Sequence, residues 1–285
     1  KYDWRGAGLS AAALSLTILT ISNPFAFDWI SIQIIGGAIL SAALFAMLVW
    51  WELRIPDPML NLRFFQNPTF SWSTSTRFLA FLGGSSTFFL MPVFVQSFMG
   101  HDQRSAGMIM FVGAVGMGLA SQLSGRLSDR YGFRRFTFIG IGTLIVTNVW
   151  FSFFVSDTPL WIVMPVLFAN GLGMGMWMAP NMSATLSTVG RGDLGSMSAF
   201  LNLVRNVGTV IGQALATAII AGIMLSRGVE VQLNELADST DPNVTGAFLD
   251  GWSLTFLVFA AVTAVALFAA IRTKVYTGDL EPKNS

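Results

Sequence analysis

Long apolar runs broken by short polar stretches set the pattern of this chain. Eight runs approach the roughly 20 residues a helix needs to cross the ~30 Å hydrocarbon core of a bilayer. They are 6–23, 29–51, 72–97, 105–124, 136–155, 160–184, 196–225 and 249–271. The pattern predicts an all-α, polytopic membrane protein with eight transmembrane helices embedded in a lipid bilayer. The longest runs exceed the core thickness and are expected to tilt or project from it. Trp4, Trp29, Trp50, Trp51, Trp72, Trp161 and Trp252 fall near predicted span ends, where an amphipathic ring is favoured. Trp150 and Trp177 lie deeper and read as packing residues.

The breaks between runs carry the charge. If the start is cytoplasmic, the inner side holds Lys1, Arg5, Arg54, Arg63, Arg126, Arg130, Arg134, Arg135, Arg191, Arg272, Lys274 and Lys283. The outer side then holds only Arg104 and Arg227, while Arg77 and Arg205 fall inside spans. Cytoplasmic loops are enriched in Lys and Arg, so both termini are expected on the inner side of a cell membrane. Four segments follow: 1–53 with two spans, a cytoplasmic connection at 54–71, six spans over 72–272, and a cytoplasmic tail at 273–285. Pro56, Pro58 and Pro68 interrupt the connection, where Leu60, Leu62, Phe64 and Phe65 can lie in the interface. The largest outer loop, about 227–248, carries Glu230, Glu235, Asp238 and Asp241; its "NVT" at 243–245 matches a glycosylation pattern too short to weigh.

Composition narrows the chemistry. Charged residues are 11% of the chain and hydrophobic ones 53%, against about 25% charged in a soluble domain. A net charge of +1 with scattered basic residues offers nothing to nucleic acid. With no cysteine and one histidine, His101, neither a disulfide frame nor a thiolate or histidine metal site is expected. No cofactor is implied. An enzyme acting on lipids would cluster acids or histidines at one interface, whereas the acids here are dispersed. All 15 acids fall in loops or at span ends, Asp250 lying nearest membrane depth, so no carboxylate is placed to titrate inside a span.

Polar residues within spans mark pathways by default. Arg205 sits nine residues into its run, roughly 14 Å at 1.5 Å per residue. Ser198, Asn202, Asn206, Thr209 and Gln213 recur with it at helical spacing. This stripe either lines a wet cavity or bonds to neighbouring helices, and Gly208 and Gly212 beside it permit close packing. "NGLGMGMWMAP" (170–180) holds Gly171, Gly173 and Gly175 within a span, which points to helix packing rather than to a nucleotide loop, with Pro180 bending the helix. Asn170 and Asn181 are cavity candidates there, among methionines that suit varied apolar ligands or simple core packing. Gln96 is a further lining candidate, and Arg77 is expected to snorkel to its nearby interface.

The densest charge is "SGRLSDRYGFRR" (124–135). Its arginines hold a loop inside; an aspartate between glycines can in addition pair with arginines or face a helix N-terminus, acting as a latch. The stretch "GRLSDRYGFR" resembles the loop signature of the major facilitator superfamily, G-x-L-a-D-r-x-G-r-k, at Gly125, Leu127, Asp129, Arg130, Gly132 and Arg134. Phe133 departs from it at the first of two usual basic positions. "YDWRGAGL", "PMLNLRFFQNPTF", "LMPVFVQSFMG", "NGLGMGMWMAP" and "SAFLNLVRNVGTVIGQALATAI" follow in order and are similar to the second half of fourteen-helix drug:proton antiporters of the EmrB/QacA type. The resemblance implies two linker helices plus the C-terminal six-helix bundle, with an N-terminal six-helix bundle as the missing partner; the start at Lys1 fits a longer protein. It implies a secondary transporter exporting small hydrophobic or amphiphilic substrates in exchange for protons, the coupling acids lying in the missing bundle. It implies that Asp129 and Arg130 latch the two bundles on the cytoplasmic side. Carriers of lipids or siderophores share this scaffold, and an inactive truncated or assembly module is the other alternative.

Overall fold

The computed structural model describes residues 3–22, 31–55, 62–84, 86–229 and 242–273. Within them the chain forms nine α-helices: α1 (Trp4–Ser22), α2 (Ile32–Glu52), α3 (Pro68–Gly84), α4 (Ser86–Ser97), α5 (Gln103–Tyr131), α6 (Phe133–Phe151), α7 (Leu160–Leu186), α8 (Leu194–Ser226) and α9 (Pro242–Arg272). Two 3₁₀ turns, Leu62–Gln66 and Arg191–Asp193, precede α3 and α8. Because α3 and α4 share one predicted run, these are eight helical rods, one for each run, and there is no strand among the described residues. Six of the rods are long and apolar enough to cross a membrane. The other two, α1 and α6, are 19 residues each, about 28 Å at 1.5 Å per residue. The chain is an all-α polytopic membrane protein. Trp29, the prolines Pro56 and Pro58, the acids Glu230, Glu235, Asp238 and Asp241, the tail from 274 and the Asp129 side chain lie outside the described residues.

Several helices outrun their apolar cores. α5 continues to Tyr131, well past the predicted end at 124, because Arg, Leu and Ser are compatible with a helix once it leaves the hydrocarbon. The expected loop shrinks to Gly132 alone, at φ +83°, a left-handed angle that glycine adopts without a Cβ penalty. α3 starts at Pro68 rather than 72, and α9 starts at Pro242 rather than 249. Proline suits a first helical turn, whose N–H groups have no intrahelical acceptor.

α1 and α2 form a hairpin tied by a Thr17–Ser41 hydroxyl hydrogen bond, and α1 touches the rest of the chain at α8. The other rods make one bundle. α7 packs between α5 and α6, while α3, α8 and α9 pack mutually and α6 joins α9. At the end bearing residues 97–103 and 151–160, aromatic rings fill the core. Phe94 stacks on Trp252 at 4.6 Å, Phe98 on Phe248 at 4.2 Å, and Phe151 meets Phe154 edge-on at 5.3 Å. Trp252 is fully buried and donates from Nε1 to the Phe151 carbonyl at 2.7 Å. It is therefore a core residue and not an interfacial anchor, because the earlier start of α9 places it ten residues into the helix and its ring packs on Phe94 and Phe256. Trp150 is the opposite case: expected to pack, it is 53% exposed on the outer face of α6. Trp177 is fully buried against Phe81, at 5.1 Å.

Glycines set the helix spacing where the backbone approach is closest. A Cβ on Gly171 would collide with the carbonyl oxygen of Gly113, and one on Gly175 with that of Met117, so α5 and α7 touch backbone to backbone. A Cβ on Gly173 would stand 3.0 Å from the Gly140 oxygen of α6. Along α3 and α8, a Cβ on Gly208 would stand 2.8 Å from the Phe78 oxygen, and one on Gly212 would collide with that of Leu82.

Candidate functional site: the seam between α3 and α8

The short α3–α8 approach at Gly208 and Gly212 brings the polar faces of both helices to one seam. α3 opens "PTFSWSTSTRF", with hydroxyls at five of six consecutive positions from 71 except Trp72, and Ser73, Thr74, Thr76 and Arg77 are all buried. Arg77 is 3% exposed. It does not snorkel: its Nε donates to the Leu201 carbonyl of α8 at 3.0 Å, and its guanidinium lies over the Phe81 ring at 5.3 Å. Its stem is directed into the contact with α8 and away from the near end of the helix, which is why the charge does not reach the interface. Nη1 is buried without a hydrogen-bond partner. No carboxylate pairs with Arg77 among the described residues; the ion pair found there joins Arg227 and Asp250 at the other end. A desolvated cation lacking a counter-charge costs several kcal/mol, which the rest of the bundle must offset.

Arg205 is half-buried, one turn beyond Leu201 on α8, and close enough to Arg77 for the two charges to repel. Asn202 and Asn206 are exposed, while Thr209 and Gln213 are half-buried. The polar contacts of this stripe run along α8 itself. Asn202 Nδ2 donates to the Ser198 carbonyl at 3.0 Å, and Arg205 Nε donates to Asn206 Oδ1 at 3.4 Å. The apolar face of the same helix, Met197, Leu201, Ala216 and Ile220, is buried. Beside the seam, Phe65, Thr74, Ser75, Phe78, Phe200 and Val204 line a recess of about 380 Å³.

The remaining polar candidates lie apart from this seam or inside helix contacts. Asn181 Nδ2 donates to the Ser73 carbonyl at 3.1 Å, and Thr185 Oγ1 meets Ser73 Oγ at 3.0 Å, tying α7 to α3. Asn170 is buried and donates to Thr147 Oγ1 at 3.0 Å. Gln96, half-buried, bonds back to the Pro92 carbonyl at 3.2 Å. Asn148 was missed by the sequence reading. It is fully buried and donates to the Gly83 carbonyl at 3.1 Å and to Thr263 Oγ1 at 3.4 Å. Its signal was present: one amide within the apolar "TLIVTNVWF" should by default find a partner helix.

At the basic end, Gly125 stands half-buried with open space where a Cβ would be, and Gly132 makes the turn. Arg130 lies over the Tyr131 ring at 5.6 Å. Arg134 Nη2 donates to the Ile271 carbonyl in the last turn of α9 at 3.1 Å, the placement that favours a cation at a helix C-terminus. No group of three or more His, Cys, Asp or Glu gathers among the described residues in a way that could hold a metal.

The sequence profile of the Major Facilitator Superfamily matches residues 4–213 and 74–284. The chain belongs to this superfamily. Among its relatives, MFS-type transporter YhcA of Bacillus subtilis is 27% identical over 251 residues, covering 87% of this chain and 46% of YhcA. Lincomycin resistance protein LmrB of Listeria monocytogenes is 24% identical over 264 residues, 93% of this chain and 55% of LmrB. Multidrug resistance protein 3 of Bacillus subtilis is 28% identical over 225 residues, 74% of this chain and 42% of that protein. The chain spans about half the length of the curated relatives it matches. In this superfamily member the cations Arg77 and Arg205 stand on adjacent helices, and the side-chain hydrogen bonds of Asn202 and Arg205 stay within α8.

Proposed function

We propose that this chain is the linker pair and second six-helix bundle of a fourteen-helix efflux transporter. It works with an N-terminal six-helix bundle, exporting hydrophobic or amphiphilic compounds by alternating access. The observation that carries the reading is the polar stripe of α8, Asn202, Arg205, Asn206, Thr209 and Gln213, whose polar contacts stay within its own helix. Such a row is expensive against lipid tails and is satisfied by a wet cavity facing a second bundle. Binding near the midplane between two halves is what this architecture expects. Gln96, half-buried, is the further lining candidate on α4, while Asn170 and Asn181, buried in contacts with α6 and α3, hold the bundle together instead. The printed names of LmrB and Multidrug resistance protein 3 support a drug-like cargo.

The Lys and Arg bias puts the end bearing Arg126, Arg130, Arg134 and Arg135 in the cytoplasm with both termini. There Gly125, Asp129, Arg130 and Gly132 form a latch that braces the companion bundle in one state, while Arg134 holds α6 to α9. Proton exchange drives the cycle through carboxylates of the companion bundle, since a coupling group must titrate within the membrane. The test is accumulation of lincomycin and of the neutral dye N-phenyl-1-naphthylamine in a drug-sensitive host, with and without the full-length protein. Lower accumulation that disappears when the proton gradient is collapsed is the expected result. Accumulation indifferent to the protein refutes export, and export indifferent to the gradient refutes proton coupling.

A further inference from the structure

The seam between α3 and α8 holds two positive charges, Arg77 and Arg205, while the buried carboxylate of Glu52, at the end of α2, lies on a neighbouring recess that shares Phe78, Phe200 and Val204. Arg77 is buried with Nη1 unpartnered, its Nε fixed on the Leu201 carbonyl. Arg205 stands one turn further along α8 and is half-buried. Thr74, one turn before Arg77 on the same face of α3, also has a buried hydroxyl with no partner. These three donors lie along one seam, and the ion pair between Arg227 and Asp250 stands at the other end of the bundle. The apolar recess of about 380 Å³ runs along the same seam. Its Thr74 and Phe78 straddle Arg77 on α3, and its Phe200 and Val204 flank Leu201 and Arg205 on α8. A volume of that order accepts a fused-ring aromatic body.

We infer that Arg77, Arg205 and Thr74 bind the anionic group, a carboxylate or sulfonate, of an amphiphilic substrate whose apolar body lies in the Phe65–Phe78–Phe200–Val204 recess. This rests on the transport reading above and names the class of cargo. Arg77 is the anchor, since its guanidinium is held in place by one backbone hydrogen bond and a ring, leaving an N–H fork for an incoming anion. Arg205 is the entry residue, reachable from the exposed side of α8. A phospholipid head group does not fit the depth. Counted from the starts of their apolar runs at 72 and 196, Arg77 lies about 8 Å and Arg205 about 14 Å into the ~30 Å core, below the head-group layer.

The experiment compares two probes on the full-length protein purified in detergent. 1-Anilinonaphthalene-8-sulfonate and N-phenyl-1-naphthylamine share the ring system and differ in the sulfonate. Saturable binding is measured with the unsaturable detergent uptake subtracted. The sulfonate is expected to bind at least tenfold more tightly than the neutral dye. Arg77→Gln and Arg205→Gln should each weaken the sulfonate about tenfold, the scale of one charged hydrogen bond, and leave the neutral dye within twofold. If Arg77→Gln does not fold, as judged by size exclusion, Arg205→Gln on the half-buried side chain decides alone. Equal affinity for the two dyes in the unmodified protein overturns the inference. Equal loss of both in the variants overturns it too, and is the behaviour of guanidiniums paired with a protein carboxylate of the companion bundle. In either case export of the neutral dye leaves the efflux reading standing, so the two failures are distinguishable.

Discussion

Placing a methyl group at Gly171 tests the backbone contact between α5 and α7. The Cβ of Gly171→Ala would collide with the Gly113 carbonyl oxygen, and it would stand 2.9 Å from the Gly113 carbon and 3.0 Å from the Met117 nitrogen. All three are α5 main-chain atoms, so no side-chain rotation relieves the contact. Restoring ordinary separations of about 3.5 Å moves α5 back by roughly 1 Å along its closest seam. Overpacking of this kind costs about 1–3 kcal/mol, and losing a glycine from the helix interior returns up to ~1 kcal/mol. Gly118→Ala on α5 is the control, because nothing lies within 4 Å of its Cβ and only the propensity gain remains. With about 2–4 °C per kcal/mol for a bundle of this size, Gly171→Ala should lower the midpoint by several degrees and Gly118→Ala should hold or raise it. The assay heats detergent-purified protein and follows the surviving monodisperse peak by tryptophan fluorescence. A Gly171→Ala midpoint at or above the parent, matching Gly118→Ala, would refute direct backbone contact.

Trp252→Phe removes one of two donors to the Phe151 carbonyl, the indole at 2.7 Å, and leaves the Phe154 N–H at 3.1 Å; losing one net hydrogen bond costs about 0.5–1.5 kcal/mol, so the same thermal assay should show a drop of a few degrees, and an unchanged midpoint would remove this role. Asp129→Asn in the full-length protein should slow export while membrane insertion, read by surface labelling, is unchanged; an unaltered export rate would remove the latch. The Ser105 hydroxyl, donating at 2.5 Å, holds the Asp102 carboxyl below the ordinary carboxylate range. Its contribution is therefore present at neutral pH and lost as pH falls through the lowered value, and Ser105→Ala should move the titration up towards about 3.9, seen by carbon NMR of labelled aspartate.

The eight rods were readable because each is an unbroken apolar run with glycine, proline or charge at its ends. The extra turns of α5 and α9 were not. Residues such as Arg126 and Asn243 read as loop by hydropathy, yet a helix that has left the hydrocarbon loses nothing by continuing through polar residues. Arg205 stood out by its depth in a long run. Arg77 lies nearer the start of its run, so snorkelling looked available; its hold on the Leu201 carbonyl and the Phe81 ring depends on α8 and could not be read from the run. Which face of α3 turns inward is set by the Gly208 and Gly212 contacts from α8, which lie more than a hundred residues away in sequence. Trp150 and Trp252 exchanged roles for the same reason: depth follows from the run, but facing follows from neighbours.

Gly132 is the one residue between α5 and α6, which otherwise hold together mainly through α7, packed against both. The rods meeting there are 29 and 19 residues long, about 43 and 28 Å, so they behave as unequal arms on a common pivot. A rocking of about 5° at that pivot carries the far tip of the longer arm through nearly 4 Å and the shorter through about 2.5 Å. Small displacements at the basic end therefore become larger ones at the far tips, with α7 carried between the two arms.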